Sequence, residues 1–258
     1  MNAPLLQARG LRKHFAGVRA VDGVDFAINA GEMVALIGPN GAGKSTLFGL
    51  IAGQHTASSG EVLFDNRPVG GHDPAALARA GIGRTFQTAQ TWGTLTVLQN
   101  VQLALAAAAG RTFDPWTPLD DIDAAAAQSL LARVDLGSHA SRAASALPYP
   151  DSKRLELAIA LAGAPRLLLM DEPTAGMAAA ERTALMDLVR SLVEAQAGSA
   201  RPLTVLFTEH SMDVVFGYAR RVLVMARGRL IADGLPDDVR ADPAAQAAYF
   251  GGSDEAAP

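Results

Sequence analysis

The stretch Gly38-Pro39-Asn40-Gly41-Ala42-Gly43-Lys44-Ser45 decides the fold. Before it, residues 33–37 form a continuous apolar run, which is typical of a strand buried on both faces of a parallel sheet. After it, residues 46–52 have the pattern of a helix. A strand, a glycine-rich turn and a helix that together match G-x-x-x-x-G-K-S/T predict a loop that binds phosphate.

Each residue type in this motif has a chemical reason. Glycines allow the backbone to wrap around a phosphate with its N–H groups pointing inward, and the following helix directs the positive end of its dipole at the same anion. Lys44 would supply a mobile cation to the β- and γ-phosphates, and the Ser45 hydroxyl would bind Mg²⁺. The nucleotide-binding residues predicted here are Gly38, Pro39, Asn40, Gly41, Ala42, Gly43, Lys44, Ser45 and Thr46.

A second apolar run, residues 167–170, ends in the acidic pair Asp171 and Glu172. Open α/β sheets bind their ligands at the carboxyl ends of the strands, so this pair is predicted to lie near the phosphate loop. Asp171 is placed to hold Mg²⁺ through water. Glu172, one residue further, is placed to accept a proton from an attacking water.

Apolar segments alternate with helical ones along the rest of the chain. We predict further strands at residues 24–28, 61–64, 204–207 and 222–225, and a long helix at residues 180–195. This alternation predicts an α/β fold with a mainly parallel sheet.

Residues from about 88 to 162 are rich in Ala and Leu at helical spacing, which we interpret as a helical subdomain. Its local signals are an N-cap at Asp123, a shared face of Leu130, Leu131 and Val134, and a helix stop at Gly137. The whole chain, residues 1–258, is predicted to be a single domain with a disordered tail at residues 252–258.

Composition narrows the function. The net charge is −4 and the pI is near 5.7, which disfavours a nucleic-acid partner. The chain has no cysteine, which excludes disulfides and cysteine metal sites and fits a reducing compartment. We predict no signal peptide, because residues 1–11 have neither a long apolar core nor a cleavage pattern of small residues. We predict no membrane-spanning segment, because a span needs ~20 mostly apolar residues, residues 101–109 are too few, and residues 155–170 are interrupted by Glu156, Pro165 and Arg166.

With Gln87, residues 147–154 and His210, these motifs follow the order and spacing of the ABC ATPase family, which the sequence resembles over nearly its whole length. Within that family it most resembles the LivG-type ATP-binding subunits of branched-chain amino acid importers. The stretches that carry this likeness are Arg84-Thr85-Phe86-Gln87, Leu95-Thr96-Val97, Leu155-Glu156-Leu157-Ala158, Glu172-Pro173-Thr174-Ala175-Gly176-Met177 and residues 241–252.

The resemblance implies a P-loop NTPase core with a mainly parallel sheet, an N-terminal antiparallel β subdomain and a helical subdomain. It implies hydrolysis of Mg-ATP that drives import, with branched-chain or related amino acids as the favoured substrates. The implied partners are transmembrane permease subunits, a second ATP-binding subunit and, indirectly, a periplasmic or extracellular binding protein. The chain would lie peripherally on the cytoplasmic face of the inner or plasma membrane. Another transported substrate, or a soluble ABC ATPase outside transport, is the alternative.

The same resemblance gives roles to residues that carry little signal alone. Phe15 would stack on adenine, and His210 would contact the γ-phosphate and act in catalysis with Lys44 and Glu172. Gln87 would act at the metal and in catalysis, reaching from the ATP site toward the membrane subunits. Trp92 and residues 95–101 would contact those subunits, unless they pack within the helical subdomain.

The family signature, usually Leu-Ser-Gly-Gly-Gln, acts on the ATP of the opposite subunit. Here the aligned residues are Leu147, Pro148, Tyr149, Pro150 and Asp151. Pro150 lacks the N–H that would bond the γ-phosphate, a loss of roughly 1.5–3 kcal/mol. Ala178 also replaces a usual Asp or Asn. These departures favour a heterodimer with unequal sites, while a homodimer in which Pro150 is harmless stays open.

Overall fold

The computed structural model describes residues 3–71, 73–85, 91–111 and 123–250, and Gln87 lies outside them. The strands are β1 (Leu6–Phe15), β2 (Val18–Ile28), β3 (Met33–Ile37), β4 (Ser59–Phe64), β5 (Arg67–Pro68), β6 (Ile82–Thr85), β7 (Leu167–Asp171), β8 (Thr204–Thr208), β9 (Arg221–Ala226) and β10 (Arg229–Gly234). The helices are α1 (Lys44–Ile51), α2 (Pro74–Ala80), α3 (Val97–Ala108), α4 (Ala124–Arg133), α5 (Tyr149–Leu161), α6 (Ala179–Glu194), α7 (Met212–Tyr218), α8 (Pro236–Ala241) and α9 (Pro243–Phe250).

The larger sheet has the strand order β10-β9-β3-β8-β7-β6. Strands β9, β3, β8, β7 and β6 run parallel, and β10 pairs antiparallel with β9 at the edge. The mainly parallel sheet is therefore confirmed. Since β3 and β7 both flank β8, the phosphate loop after β3 and the acids that end β7 meet at one edge of the sheet.

The central strand β3 is apolar at every position because both of its faces are buried. Val34 and Leu36 pack into one core cluster, which includes Leu6, Leu11 and Ile28 of the smaller sheet. The alternate residues of β3 pack into a second cluster, formed largely with the helices. The smaller sheet, in the order β2-β1-β4-β5, is antiparallel and confirms the predicted N-terminal β subdomain.

The helical layer contains α3, α4 and α5. As predicted, Leu130, Leu131 and Val134 are buried together in the second core cluster. Asp123 lies at the N-cap position of α4, as predicted, although its backbone is left-handed (φ 41°) and its carboxylate pairs with Arg111 and makes no capping hydrogen bond. The predicted helix stop at Gly137 is wrong, because α4 ends at Arg133 and Gly137 begins a short 3₁₀ turn.

The boundaries of the predicted helical subdomain and of the single domain stay predictions, and the predicted tail lies outside the described residues. Among the residues that the structure describes, no helix is long and apolar enough to cross a membrane.

Candidate nucleotide-binding site

The loop between β3 and α1 has glycines where no other residue fits. A Cβ on Gly38 (φ 157°) would lie 2.2 Å from the carbonyl oxygen of Met225. A Cβ on Gly43 (φ 103°) would lie 2.1 Å from the carbonyl oxygen of Ala20. Both glycines are therefore required by close backbone approach, and they hold the loop in the turn that precedes the helix.

Lys44 begins α1 and is buried. Its ammonium donates hydrogen bonds to the carbonyl oxygens of Gly38 (2.7 Å) and Pro39 (3.2 Å), so it lies across the loop. Burial lowers the pKa of Lys44 below the ordinary lysine value, and the negative charges of Glu172 and Asp171 oppose that shift. Ser45 and Thr46 follow in the first turn of α1, at the positive end of the helix.

Asp171 is the last residue of β7, and its two carboxylate oxygens have different partners. Oδ1 accepts a hydrogen bond from the Thr208 hydroxyl (2.7 Å) at the end of β8. Oδ2 pairs with the guanidinium of Arg84 at 3.5 Å, and burial lowers the pKa of that guanidinium. Ser45 and Asp171 offer hydroxyl and carboxylate oxygens, the hard donors that suit Mg²⁺, which usually takes its other ligands from substrate phosphates and water.

Glu172 has a left-handed backbone (φ 48°), which is uncommon outside glycine. Its N–H donates to Thr208 Oγ1 (2.9 Å), and its carboxylate Oε1 lies 2.9 Å from His210 Nε2. The structure therefore brings together two residues that were predicted from separate parts of the sequence. Their strained turn is held by the end of the neighbouring strand.

Sequence reasoning missed two residues of this site, Thr208 and Glu209. Thr208 links the backbone of Glu172 to the carboxylate of Asp171. Glu209 is buried, and its carboxylate accepts hydrogen bonds from Thr174 and from the backbone of His210. The sequence feature that could have identified them is their position next to His210, at the carboxyl end of a strand adjacent to β7.

Phe15 lies at the end of β1 and is 41% exposed, which is more than a core residue would be. Its ring makes an edge contact with His55, at 5.4 Å between centroids, and the Lys13 ammonium lies 4.8 Å from its centre. An exposed aromatic face is therefore available near the end of this strand for stacking.

The residues aligned with the family signature begin α5. Pro148 occupies the N-cap and Pro150 the second helical position, so two of the residues that open the helix have no N–H to donate. The Tyr149 hydroxyl donates to the carbonyl oxygen of Ala175 (2.9 Å), in the loop after Glu172. Asp151 adds a negative charge to the first turn.

Ala178 occupies the N-cap of α6 and has no side-chain acceptor for this helix end. Its own N–H donates to the carboxylate of Glu181 (2.9 Å), which supplies part of a capping interaction.

The residues that were predicted to contact the membrane subunits differ in their exposure to solvent. Val97 and Val101 are fully buried in the core, so for them packing within the helical layer is the correct alternative. Trp92 is 50% exposed. The buried amide of Asn100 fixes its position, accepting from the Trp92 N–H (2.8 Å) and donating to its carbonyl (3.1 Å).

Trp92 also lines a largely apolar groove of about 720 Å³ between α2, α3 and α5. Other residues that line it are Leu77, Arg84, Leu103, Ala107, Ile159 and Pro165.

Two family models match the chain. One, for the ABC transporter family, covers residues 21–175. The other, described as branched-chain amino acid ATP-binding cassette transporter, covers residues 229–255.

Relatives match the chain over almost its full length. The high-affinity branched-chain amino acid transport ATP-binding protein LivG of Escherichia coli is 34% identical in an alignment that covers 97% of this chain and 99% of the relative. The corresponding protein BraF of Pseudomonas aeruginosa is 32% identical and covers the same shares of both chains. The crystal structure of an ABC transporter cassette in its ADP conformation matches with a TM-score of 0.84 and 31% identity, over 97% of this chain and 100% of that one.

Proposed function

The chain belongs to the ABC transporter family as an ATP-binding cassette, and we propose that it hydrolyses Mg-ATP to drive import of branched-chain or related amino acids. The observation that supports catalysis is the cluster of Lys44, Asp171, Glu172 and His210 at one edge of the sheet. The observation that supports the substrate is similarity to LivG and BraF over nearly the whole chain.

In this proposal the phosphate loop and Lys44 hold the β- and γ-phosphates. Lys44 leaves the carbonyl oxygens of Gly38 and Pro39 to do so, and ATP replaces hydrogen bonds that the ammonium already makes. Ser45 and Asp171 would hold Mg²⁺, which neutralises charge that develops on the phosphates in the transition state. Phe15 offers its exposed ring to adenine.

Glu172 acts as the acceptor of a proton from the attacking water. Its left-handed backbone and its contact with His210 fix where the carboxylate lies. His210 can contact the γ-phosphate through the same ring that it now turns toward Glu172. Gln87 keeps its proposed role at the metal by family resemblance alone.

The second ATP-binding subunit is proposed to be a different chain with an intact signature. Pro148 and Pro150 remove N–H donors from the start of α5, and Asp151 adds a charge that repels phosphate. The site formed by this signature would therefore be weak. The site formed by this chain's own phosphate loop would be the one that turns over.

The groove beside Trp92 is the proposed contact with the transmembrane subunits. It is apolar and lies between the helical layer and the sheet, so a helix from a permease could bury its apolar face there. The chain would then be held at the cytoplasmic face of the membrane by its partners.

The proposal is tested in cells that lack the gene for this chain. Uptake of radiolabelled leucine should return with the wild-type chain, and should not return with Glu172→Gln or Lys44→Ala. Trp92→Ala should reduce uptake while the purified chain still binds ATP. Uptake that is unaffected by loss of the chain would refute amino-acid import, and absence of ATP hydrolysis by the assembled complex would refute the ATPase.

A further inference from the structure

Glu209 accepts three hydrogen bonds, two of which join the loop bearing Glu172 to the loop bearing His210. Its Oε1 accepts from the backbone N–H of Thr174 (2.9 Å) and from the Thr174 hydroxyl (2.6 Å). Its Oε2 accepts from the backbone N–H of His210 (3.1 Å). We call this arrangement, formed by Glu209, Thr174 and the backbone of His210, the carboxylate clamp.

The clamp is closed off from solvent. Glu209 is 3% exposed and Thr174 is 2% exposed. A carboxylate is acceptor-only when ionised, and burying one is unfavourable unless donors surround it. Thr174 and Glu209 are 35 positions apart in sequence, so the two hydrogen bonds between them hold the two loops together, while the bond from His210 orients the same carboxylate within its own loop.

Three consecutive residues at the end of β8 thereby hold the segment after β7. Thr208 holds the backbone of Glu172, Glu209 holds Thr174, and His210 contacts the carboxylate of Glu172. The left-handed backbone of Glu172 needs such support, because an unfavourable conformation persists only where its surroundings over-determine it.

We infer that Glu209 is a positioning residue, which acts through Thr174 to keep Glu172 in contact with His210. This inference rests on the proposed function for the meaning of that contact. Glu209 and Thr174 are both buried, so the inference gives them a role through Glu172 and His210 and no direct contact with the nucleotide. Loosening the clamp should reduce turnover and leave ATP binding by the phosphate loop unchanged.

Thr174→Val tests the clamp with the smallest change of shape, because it removes the hydroxyl donor and keeps the β-branched side chain. Thr174→Ser keeps the hydroxyl and should restore the wild-type behaviour. Thr183→Val is the matched control, since Thr183 donates its hydroxyl to the Ala179 carbonyl on the exposed part of α6. Glu209→Gln is a second probe, because its amide would place a donor against the N–H of His210.

The first readout is steady-state ATP hydrolysis by the assembled complex. Thr174→Val should lower kcat about 10- to 100-fold, as expected when a reacting group is misplaced by about 1 Å, with an unchanged KM for ATP. Thr174→Ser and Thr183→Val should retain the wild-type kcat. If Thr174→Val and Thr174→Ser both retain the wild-type kcat, the inference is overturned.

The second readout needs no turnover. In the full chain labelled with ¹³C-histidine, the His210 signal is assigned by its absence from His210→Gln. In an otherwise wild-type chain, Glu172→Gln should change the chemical shift of the His210 signal. In a chain that also carries Thr174→Val, Glu172→Gln should change that chemical shift less, and an equal change in both chains would overturn the clamp. If the wild-type complex hydrolyses no ATP while the change in chemical shift still depends on Thr174, the proposed function fails and the clamp stands.

Discussion

The proposed ATP machinery has two halves, the phosphate-loop side and the signature side, which differ in how many of the expected functional groups they retain. At the carboxyl ends of β3, β7 and β8, Lys44, Asp171 and Glu172 each have defined hydrogen-bond or ion-pair partners among neighbouring residues. At the start of α5, two of the opening residues are prolines and a third is Asp151. The first half would act on the chain's own ATP, and the second on the ATP of a partner.

The altered half is still well folded. Leu155 and Leu157 of α5 are fully buried, and Tyr149 is anchored to the loop after Glu172. Proline is compatible with the first turn of a helix, so α5 forms although Pro148 and Pro150 have no N–H. The comparison teaches that helix α5 can fold normally without the N–H groups that our proposal requires for the opposite site.

The largest expected effect is on kcat, and it comes from Glu172 in the phosphate-loop half. Glu172→Gln should lower kcat by about 10²–10⁴-fold, because it removes the proposed proton acceptor, and ATP binding should be retained. Phosphate release by the assembled complex measures this. Glu194→Gln, an exposed acid at the end of α6, is the control and should be neutral. Turnover at the wild-type rate in Glu172→Gln would place the proton acceptor elsewhere.

The next effect concerns a buried pair of charges within α5. Lys153 and Glu156 form a buried ion pair (3.2 Å), and burial raises the pKa of Glu156 although Lys153 opposes the shift. Lys153→Met should cost about 3–5 kcal/mol of unfolding free energy, because it leaves a buried charge uncompensated.

The double variant Lys153→Met, Glu156→Met should be much closer to the wild type, since both charges are then removed together. Urea unfolding of the three proteins checks this. A single variant as stable as the wild type would mean that the buried carboxylate of Glu156 does not depend on Lys153 for its compensation.

Pro150→Ala sharpens the comparison by returning an N–H to α5. A dimer of two identical copies would regain one charge-assisted hydrogen bond of roughly 1.5–3 kcal/mol at each of its two sites, which should tighten ATP-dependent self-association about 10²- to 10⁴-fold. Sedimentation of the Glu172→Gln background at several concentrations measures it. Pro148→Ala is the matched control at the N-cap and should change association less. Equal effects of the two changes would mean that the missing N–H of Pro150 is not what weakens this half.

The smallest effect is a pH dependence in the intact half. Burial lowers the pKa of Lys44 below the ordinary lysine value, so at pH values above that lowered pKa the free chain holds a neutral Lys44, and binding ATP with a charged Lys44 takes up a proton. Affinity should therefore fall as pH rises through that range, by at most about tenfold per pH unit. Lys44→Arg stays charged and should show a weaker dependence. Titration with a fluorescent ATP analogue checks both, and identical pH profiles would contradict this assignment.

Much of the fold could be predicted because its signals are local. The phosphate loop, the apolar strand β3 and the pair Asp171 and Glu172 each carry their meaning within a few residues. Thr208 and Glu209 could not be found in this way, since their roles depend on the alignment of β8 beside β7, where Asp171 lies opposite Thr208. That register is a property of the assembled sheet.

Two local expectations were limited for the same reason. Asp123 takes the predicted N-cap position, but Arg111 pairs with its carboxylate, so this helix end gains no side-chain hydrogen bond. Of residues 95–101, Val97 and Val101 face the core, so for these two the alternative of packing within the helical layer is correct. Tertiary contacts decided both cases.

The most direct test of the unequal halves is the mass in solution of purified Glu172→Gln with Mg-ATP. The variant should bind ATP without turning it over, which would trap any closed dimer. The account predicts a protein that binds ATP and stays monomeric alone, because its own signature lacks the donors to hold a second copy. An ATP-dependent homodimer formed by this variant would contradict it, and would show that the signature with Pro150 still functions.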